Sequence, residues 1–371
     1  MSMRNVFSIV LLLGAVTLTG CHNSAKVTEQ GQGQQYRDGT ITQDLKPVAK
    51  INTEKKIANS ADYLRQVDEI ASISPRLYGK SSYTYFLIAN WLNQGGDLSK
   101  LPEKLTAYQM KGTDNYGNVL FTGYYTPVLE ARRTPSSTYK YPIYATPKKN
   151  KRFERSAIYN GVLNNKGLEL AYSSSLIDNF MMEVQGSSYI DFCDGSPLNF
   201  FAFAGKNGYA YTSVGRILVE RGHVEKEKIS MQAIRDWVAQ NDENAVKELL
   251  SQNRSFVYFT PKGSAPVKGA SGIPLIALAS VAADKRLVPP GSVLLAEVPL
   301  LTESGEFSGE YALRLMVALD VGGAIKGHHF DLYQGIGKKA AEVAGYYNHF
   351  GRVWLLSSEG DALDSLRKTG I

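Results

Sequence analysis

Between Leu313 and Leu319 the chain sets Leu313, Leu315, Val317 and Leu319 at period two, so one face of a strand is continuous hydrocarbon. Asp320 ends that strand, and Gly322-Gly323 and Gly327 follow it. Glycines there permit tight turns and a close approach of backbone to a ligand. His328-His329 and then Asp331, flanked by Phe330 and Leu332, complete the densest polar cluster of the chain. A strand that delivers carboxylates to a glycine-lined edge points to a fold built on sheets. Further short strands are expected at Asn118 to Tyr125, Lys140 to Ala145, Phe256 to Phe259, Val293 to Val298 and Val353 to Leu356, all rich in aromatic or β-branched residues. Helical spacing predicts helices within 60–97, interrupted at Pro75 and stopped at Gly95-Gly96. Others are expected over 213–221, capped by Ser213, and within 231–250, with caps at Ser230 and Asn241. The βαβ alternation of a doubly wound sheet is missing, so the expected class is mainly β with helical segments.

The first 20 residues read as an export signal outside the fold. Arg4 precedes an apolar run from Val6 to Val16, which is too short for the ~20 residues that span a bilayer. Leu18-Thr19-Gly20-Cys21 resembles a bacterial lipobox, which predicts cleavage before Cys21 and acylation of its side chain and amine. More than one acyl chain is needed for lasting anchorage. His22, where an Asp would signal retention, points to the outer membrane, with the chain facing the periplasm. Polar residues up to position 50, centred on Gln30-Gly31-Gln32-Gly33-Gln34-Gln35, read as a tether.

Composition mainly excludes. Of 371 residues, 41 are Lys or Arg and 35 Asp or Glu, a net charge of +6 too mild to argue for nucleic acid. Two cysteines rule out a disulfide scaffold and a four-cysteine zinc site, and acylation of Cys21 leaves Cys193 without an intramolecular partner. The chain has no phosphate-loop, His-Glu-x-x-His or Gly-x-Ser-x-Gly signature. Adjacent histidines point to opposite faces of a strand, so His328-His329 with Asp331 makes a poor chelate. Neither metal nor cofactor is expected.

Three constellations can carry chemistry. Asp320 and Asp331 could be held near one groove, with Asp284 as a third carboxylate; a single Asp beside Gly also commonly caps a turn, and both readings stand here. In Phe121-Thr122-Gly123-Tyr124-Tyr125-Thr126-Pro127 the tyrosines could stack on sugar faces or fill a core. Met182-Glu183-Val184-Gln185-Gly186-Ser187-Ser188-Tyr189-Ile190-Asp191 reads either as a carbohydrate site or as a strand with a turn at Gly186. Its Gln185 and serines could bond carbohydrate, and Glu183 is a rival acid.

Leu315 to Gly327, followed by His329-Phe330-Asp331, resembles the 3D domain, named for three aspartates. Asp284, with Val288-Pro289-Pro290-Gly291 after it, is similar to the first of the three; Asp320 and Asp331 match the second and third. Gly123 to Pro127, Met182 to Ser187 and Ser196-Pro197-Leu198-Asn199-Phe200-Phe201 resemble further motifs of the membrane-bound lytic murein transglycosylase A family. The resemblance implies a double-psi β-barrel domain from residues 51–125 and 265–360. A smaller β domain, 126–264, is inserted, with a groove between the two. It implies cleavage of the β-1,4 bond between N-acetylmuramic acid and N-acetylglucosamine in peptidoglycan, with Asp331 as acid and then base. Asp320 and Asp284 would orient or support. Thr122, Tyr124, Tyr125, Gln185 and Gly186 would contact glycan. The expected partners are glycan strands and the outer membrane, with the cell-wall synthesis machinery as a further one and the chain a monomer. Two alternatives stay open: a hydrolytic muramidase with Glu183 or Asp320 as second carboxylate, and a lipoprotein that only binds peptidoglycan.

Overall fold

The computed structural model describes residues 33–148, 152–226, 229, 231–359 and 361. The export signal, Cys21, His22 and the expected helix cap Ser230 lie outside them. A short strand β1 (Lys46–Val48) precedes helices α1 (Ser60–Ile73), α2 (Pro75–Tyr78) and α3 (Ser82–Asn93), then β2 (Leu105–Gln109) and β3 (Val119–Thr126). The middle of the chain forms β4 (Val128–Arg132), β5 (Tyr141–Tyr144), α4 (Arg155–Tyr159), β6 (Glu169–Ser173), α5 (Leu176–Gln185), β7 (Ser188–Asp191) and β8 (Asn199–Lys206). It continues through α6 (Val214–Glu220), α7 (Met231–Ala239), α8 (Glu243–Ser251) and β9 (Val257–Pro261). The last part gives β10 (Ser280–Ala282), β11 (Val293–Leu301), β12 (Phe307–Asp320), β13 (His329–Ile336), α9 (Lys338–Tyr346), β14 (Asn348–Gly351) and β15 (Val353–Ser358).

The strands form two sheets. One runs β1-β2-β15-β11-β12-β10-β13-β3-β14 and the other β5-β6-β4-β7-β8-β9. In the first, β12 is apolar on both faces. Leu313, Leu315, Val317 and Leu319 pack with Tyr63, Ile70, Ile88 and Trp91 of the N-terminal helices. Met316 and Ala318, on its other face, join Phe121, Leu294, Phe330 and Leu332 in a second core. The sheet curls around this inner core. At its far edge the residues flanking β14 reach β11: Glu297 N–H donates to the Arg352 carbonyl at 2.9 Å, extending the β11–β15 ladder, and Tyr347 Oη donates to the Pro299 carbonyl at 2.8 Å. A Cβ on Gly351 would sit 1.9 Å from the Glu297 oxygen, so only glycine allows this approach.

Local chemistry explains most element ends. Ser213 Oγ accepts from the Arg216 amide and caps α6. The cap of α8 is Asp242, whose Oδ1 accepts from the Asn244 and Ala245 amides, one residue beyond the expected Asn241. Two other expectations change. Of Met182 to Asp191 only Ser188–Asp191 is a strand, β7; Met182 to Gln185 is the last turn of α5, closed by Gly186 in the left-handed conformation (φ 81°). Its apolar residues sit on a helical stripe, which a short run next to a glycine disguised as a strand and turn. The expected tether, residues 21–50, is bound to the sheet over its described part. Tyr36 Oη donates to Glu297 Oε2 at 2.5 Å, Ile41 and Leu45 are buried, and β1 pairs with β2. Isolated Ile and Leu within polar sequence give too little period to reveal this.

Candidate active site

The site grows out of the parallel pair β3 and β13, in register at Asp331–Thr122 and Tyr333–Tyr124. Side chains alternate across a strand, so His329, Asp331 and Tyr333 share one face, as do Thr122, Tyr124 and Thr126. Phe121, Phe330 and Leu332 take the opposite face and anchor both strands in the inner core. Gly123 is required for a different reason: a Cβ there would meet the Ala344 backbone at 2.8 Å, where α9 lies across β3.

Ala282 of β10 pairs with Asp320 of β12 on one side and with Asp331 of β13 on the other. The two carboxylates thus flank one small side chain, with their Cα atoms roughly 10 Å apart across the intervening strand. Strict alternation would send Asp320 after Met316 and Ala318 into the inner core. The register slips at Val281/Ala282, and this bulge re-aims Asp320 towards Tyr124.

Asp320 accepts three hydrogen bonds: from Tyr124 Oη at 3.0 Å, from the Ala270 amide at 2.8 Å and from the Val321 amide at 2.9 Å. Gly269 makes the second possible, because a Cβ there would lie 2.6 Å from the Leu319 oxygen. Burial raises the Asp320 carboxyl and these donors pull it back. Asp331 is treated differently. Its Oδ1 lies 2.7 Å from Thr122 Oγ1, which is itself 2.9 Å from His329 Nε2. Burial, with the Asp320 charge adding to it against the Thr122 contact, raises the Asp331 carboxyl to about 6. A carboxyl poised there is present as both acid and base near neutral pH.

The other expected site residues take varied places. Tyr124 packs its ring against Tyr333, centroids 5.2 Å apart, so its hydroxyl is spent on Asp320. Gln185 Oε1 accepts from the Tyr125 amide at 3.1 Å, joining α5 to β3, and Gly186 lies open next to it. Tyr125 borders a groove of about 410 Å³ between the two sheets, with Glu130, Asp178, Arg235 and Lys338 among its walls. Asp284 faces elsewhere. Arg286 holds its carboxyl well below the usual range, and its Oδ2 accepts from the Gly327 amide, so it anchors the glycine turn. Ser188 Oγ donates to the Pro127 carbonyl and is buried, which takes it away from any carbohydrate.

Glu183 is withdrawn as an acid. Arg155, 1% exposed, forks onto it from two nitrogens at 3.0 and 2.8 Å, and the Val257 amide adds a third bond. His328 meets Asp44 at 3.0 Å while His329 meets Thr122, so the two rings diverge. Among the described residues, no group of three His, Cys, Asp or Glu side chains could hold a metal ion. His329 stands out in the sequence only as a possible ligand, although its place two residues before Asp331 on a strand puts it on the same face. Ala270 and Ala282 carry no signal that a sequence could show.

Residues 120–260 match the MltA specific insert domain, and residues 279–357 match the 3D domain. Over 350 residues the chain is 54% identical to membrane-bound lytic murein transglycosylase A of Escherichia coli K12, covering 94% of this chain and 95% of that protein. It is 46% identical to the Vibrio cholerae protein of the same name over 330 residues, 88% and 89% of the two chains. The crystal structure of E. coli MltA with bound chitohexaose superposes with a TM-score of 0.85 at 54% identity, over 89% of this chain and 99% of that one.

Proposed function

The chain belongs to the membrane-bound lytic murein transglycosylase A family, and from that premise we propose that it cleaves the β-1,4 bond between N-acetylmuramic acid and N-acetylglucosamine without water. Asp331 is the one acid–base group. The observation that carries this reading is its environment: a half-buried carboxyl raised to about 6, contacted by a hydroxyl and neighboured by a second carboxylate. Asp331 protonates the leaving glycosidic oxygen. The C6 hydroxyl of the muramyl residue attacks its own anomeric carbon, and the Asp331 carboxylate takes the C6 proton. The product ends in a 1,6-anhydro ring. An intramolecular hydroxyl has a high effective concentration, so no protein nucleophile and no second catalytic carboxylate are needed. Asp320, held by three donors, stays in place as a fixed negative charge that keeps Asp331 protonatable. Asp284 supports the glycine turn. Thr122 and Tyr124 orient the carboxylates, and Tyr125, Gln185 and Gly186 meet the glycan along the groove. Arg155 argues against Glu183 as a second carboxylate for hydrolysis.

The proposal extends to architecture and location. A double-psi barrel in 51–125 and 265–360 is supported by the parallel pairs β10–β12 and β13–β3 and by the return of the residues flanking β14 to β11. An inserted domain at 126–264 is supported by the second sheet, whose strands all fall between Val128 and Pro261. Lipid anchorage at Cys21 fits relatives named membrane-bound and the finding that, among the described residues, no helix is long and apolar enough to cross a membrane.

The test is digestion of isolated sacculi by the wild type and by Asp331→Asn, with product masses. The wild type is expected to release muropeptides one water lighter than hydrolysis products. Asp331→Asn is expected to lose at least about 100-fold in rate. Hydrated products, or wild-type turnover by the variant, would sink the reading.

A further inference from the structure

Thr122 has a single hydroxyl proton, yet its Oγ1 contacts Asp331 Oδ1 at 2.7 Å and His329 Nε2 at 2.9 Å. One proton cannot serve both contacts, so one of the two neighbours must be a donor. The Ala324 backbone beside the ring acts in the sense of an acceptor, strengthening the ring's hold on a proton. Burial favours the neutral ring. A neutral imidazole has one N–H; with that proton on Nδ1, Nε2 is a lone pair. Thr122 then donates to His329 and presents only lone pairs to Asp331. The short contact to Oδ1 closes when the carboxyl itself carries the proton.

We propose that His329 is a positioning residue that acts through Thr122 to hold Asp331 in its acid form. This rests on the reading of Asp331 as the general acid. The resting proton lies between Asp331 Oδ1 and Thr122 Oγ1. When the Asp331 O–H bond breaks and the proton passes to the leaving oxygen, the Thr122 hydroxyl turns from Nε2 to the new carboxylate. It turns back when the C6 O–H bond breaks and Asp331 is reprotonated. His329 keeps the same protons throughout, and no other reactant is involved. The other ionisable groups around the trio are Asp320 and Tyr124, Tyr333 two residues along β13, the Asp284–Arg286 pair at the Gly327 turn, and Asp44 paired with His328. On the neighbouring strand β14, Asn348 pairs with Thr122, and His349 bonds the Gly305 carbonyl.

The experiment is the pH profile of muropeptide release from sacculi. With His329→Phe, Thr122 has only Asp331 to donate to, which favours the carboxylate. The alkaline limb is expected to move down by about one pH unit, the worth of one exchanged hydrogen bond. Activity should recover towards pH 5. His329→Gln, whose amide oxygen can accept from Thr122, should bring the limb back towards wild type. In a Thr122→Val background, His329→Phe should move it no further. An unmoved limb in folded His329→Phe, or an equal shift in the Thr122→Val background, overturns the inference. Nitrogen NMR of the wild-type ring gives an answer that needs no variant: a bare Nε2 at pH 6 supports the relay, and a protonated Nε2 over a bare Nδ1 refutes it. Loss of turnover in Asp331→Asn with an unmoved limb in His329→Phe removes the relay alone; wild-type turnover in Asp331→Asn removes the underlying reading.

Discussion

Glu183 is a buried carboxyl group and Asp331 a half-buried one, and loss of water pushes both upward. They differ in who meets them. Glu183, on the last turn of α5, faces a guanidinium that forks onto both of its oxygens and is itself held by the Asn253 carbonyl and the Tyr159 hydroxyl. Asp331, on β13, faces a threonine hydroxyl, and the nearest charge acting on it is negative. A buried carboxylate with a matched cation is locked into one protonation state and serves to fix a geometry. A half-buried carboxyl with a neutral partner keeps access to both states, which is what acid–base chemistry needs. Both partner and exposure separate the two: Glu183 is sealed against a cation, and Asp331 keeps an open side beside a hydroxyl.

The sharpest way to break the comparison is to remove each partner. Arg155→Ala should destabilise the fold by about 3–5 kcal/mol, because it leaves Glu183 buried and unpaired. Denaturant unfolding measures this. Replacing both residues, Arg155→Met with Glu183→Gln, should recover part of the loss, and a double variant less stable than the single would contradict the pairing.

Asp331 should behave in the opposite sense. Its carboxyl is raised to about 6 in the fold, against an ordinary value near 3.8 in the unfolded chain. Below pH 3.8 both states hold the proton and nothing is lost. As pH rises from 3.8 to 6 the unfolded chain ionises while the fold holds its proton, so stability falls across that window and levels off above it. Asp331→Asn should therefore stabilise the protein by up to about 3 kcal/mol above pH 6 and change little near pH 4. Melting at the two pH values tests it, and equal shifts at both would show that the carboxyl is not perturbed.

Smaller effects sharpen the contrast. Tyr124→Phe removes one of the donors to Asp320 and should cost about 1–2 kcal/mol in transition-state stabilisation, read as a drop in sacculus turnover with little change in melting. Asp242→Ala in the second sheet's helical layer should cost about 1 kcal/mol of stability through its lost cap and leave turnover per folded molecule unchanged.

Much of this was legible in the residues. Period two from Leu313 to Leu319 gave one face of β12 correctly, because hydrophobic alternation is a local record of burial. Ser213 announced its helix for the same reason: a cap bonds within its own first turn. The Met182 to Gln185 segment misled because four residues beside a glycine fit a strand end and a helix end equally well. Asp284 was grouped with Asp320 and Asp331 by chain pattern, yet Arg286, two residues away, claims it for the turn.

The sequence by itself determined the class of fold, the aspartates worth examining and the resemblance that named their chemistry, since these depend on local pattern and composition. Only the tertiary structure decided their roles. The bulge at Val281/Ala282 re-aims Asp320, Ala282 leaves room between the two carboxylates, and Gly269 brings the Ala270 amide to Asp320. Thr122 and His329, far apart in the chain, meet beside Asp331, and Arg155 reaches Glu183. A carboxyl's pKa depends on the charges and donors within a few ångströms and on the water excluded around it, and those neighbours come from segments that only folding brings together.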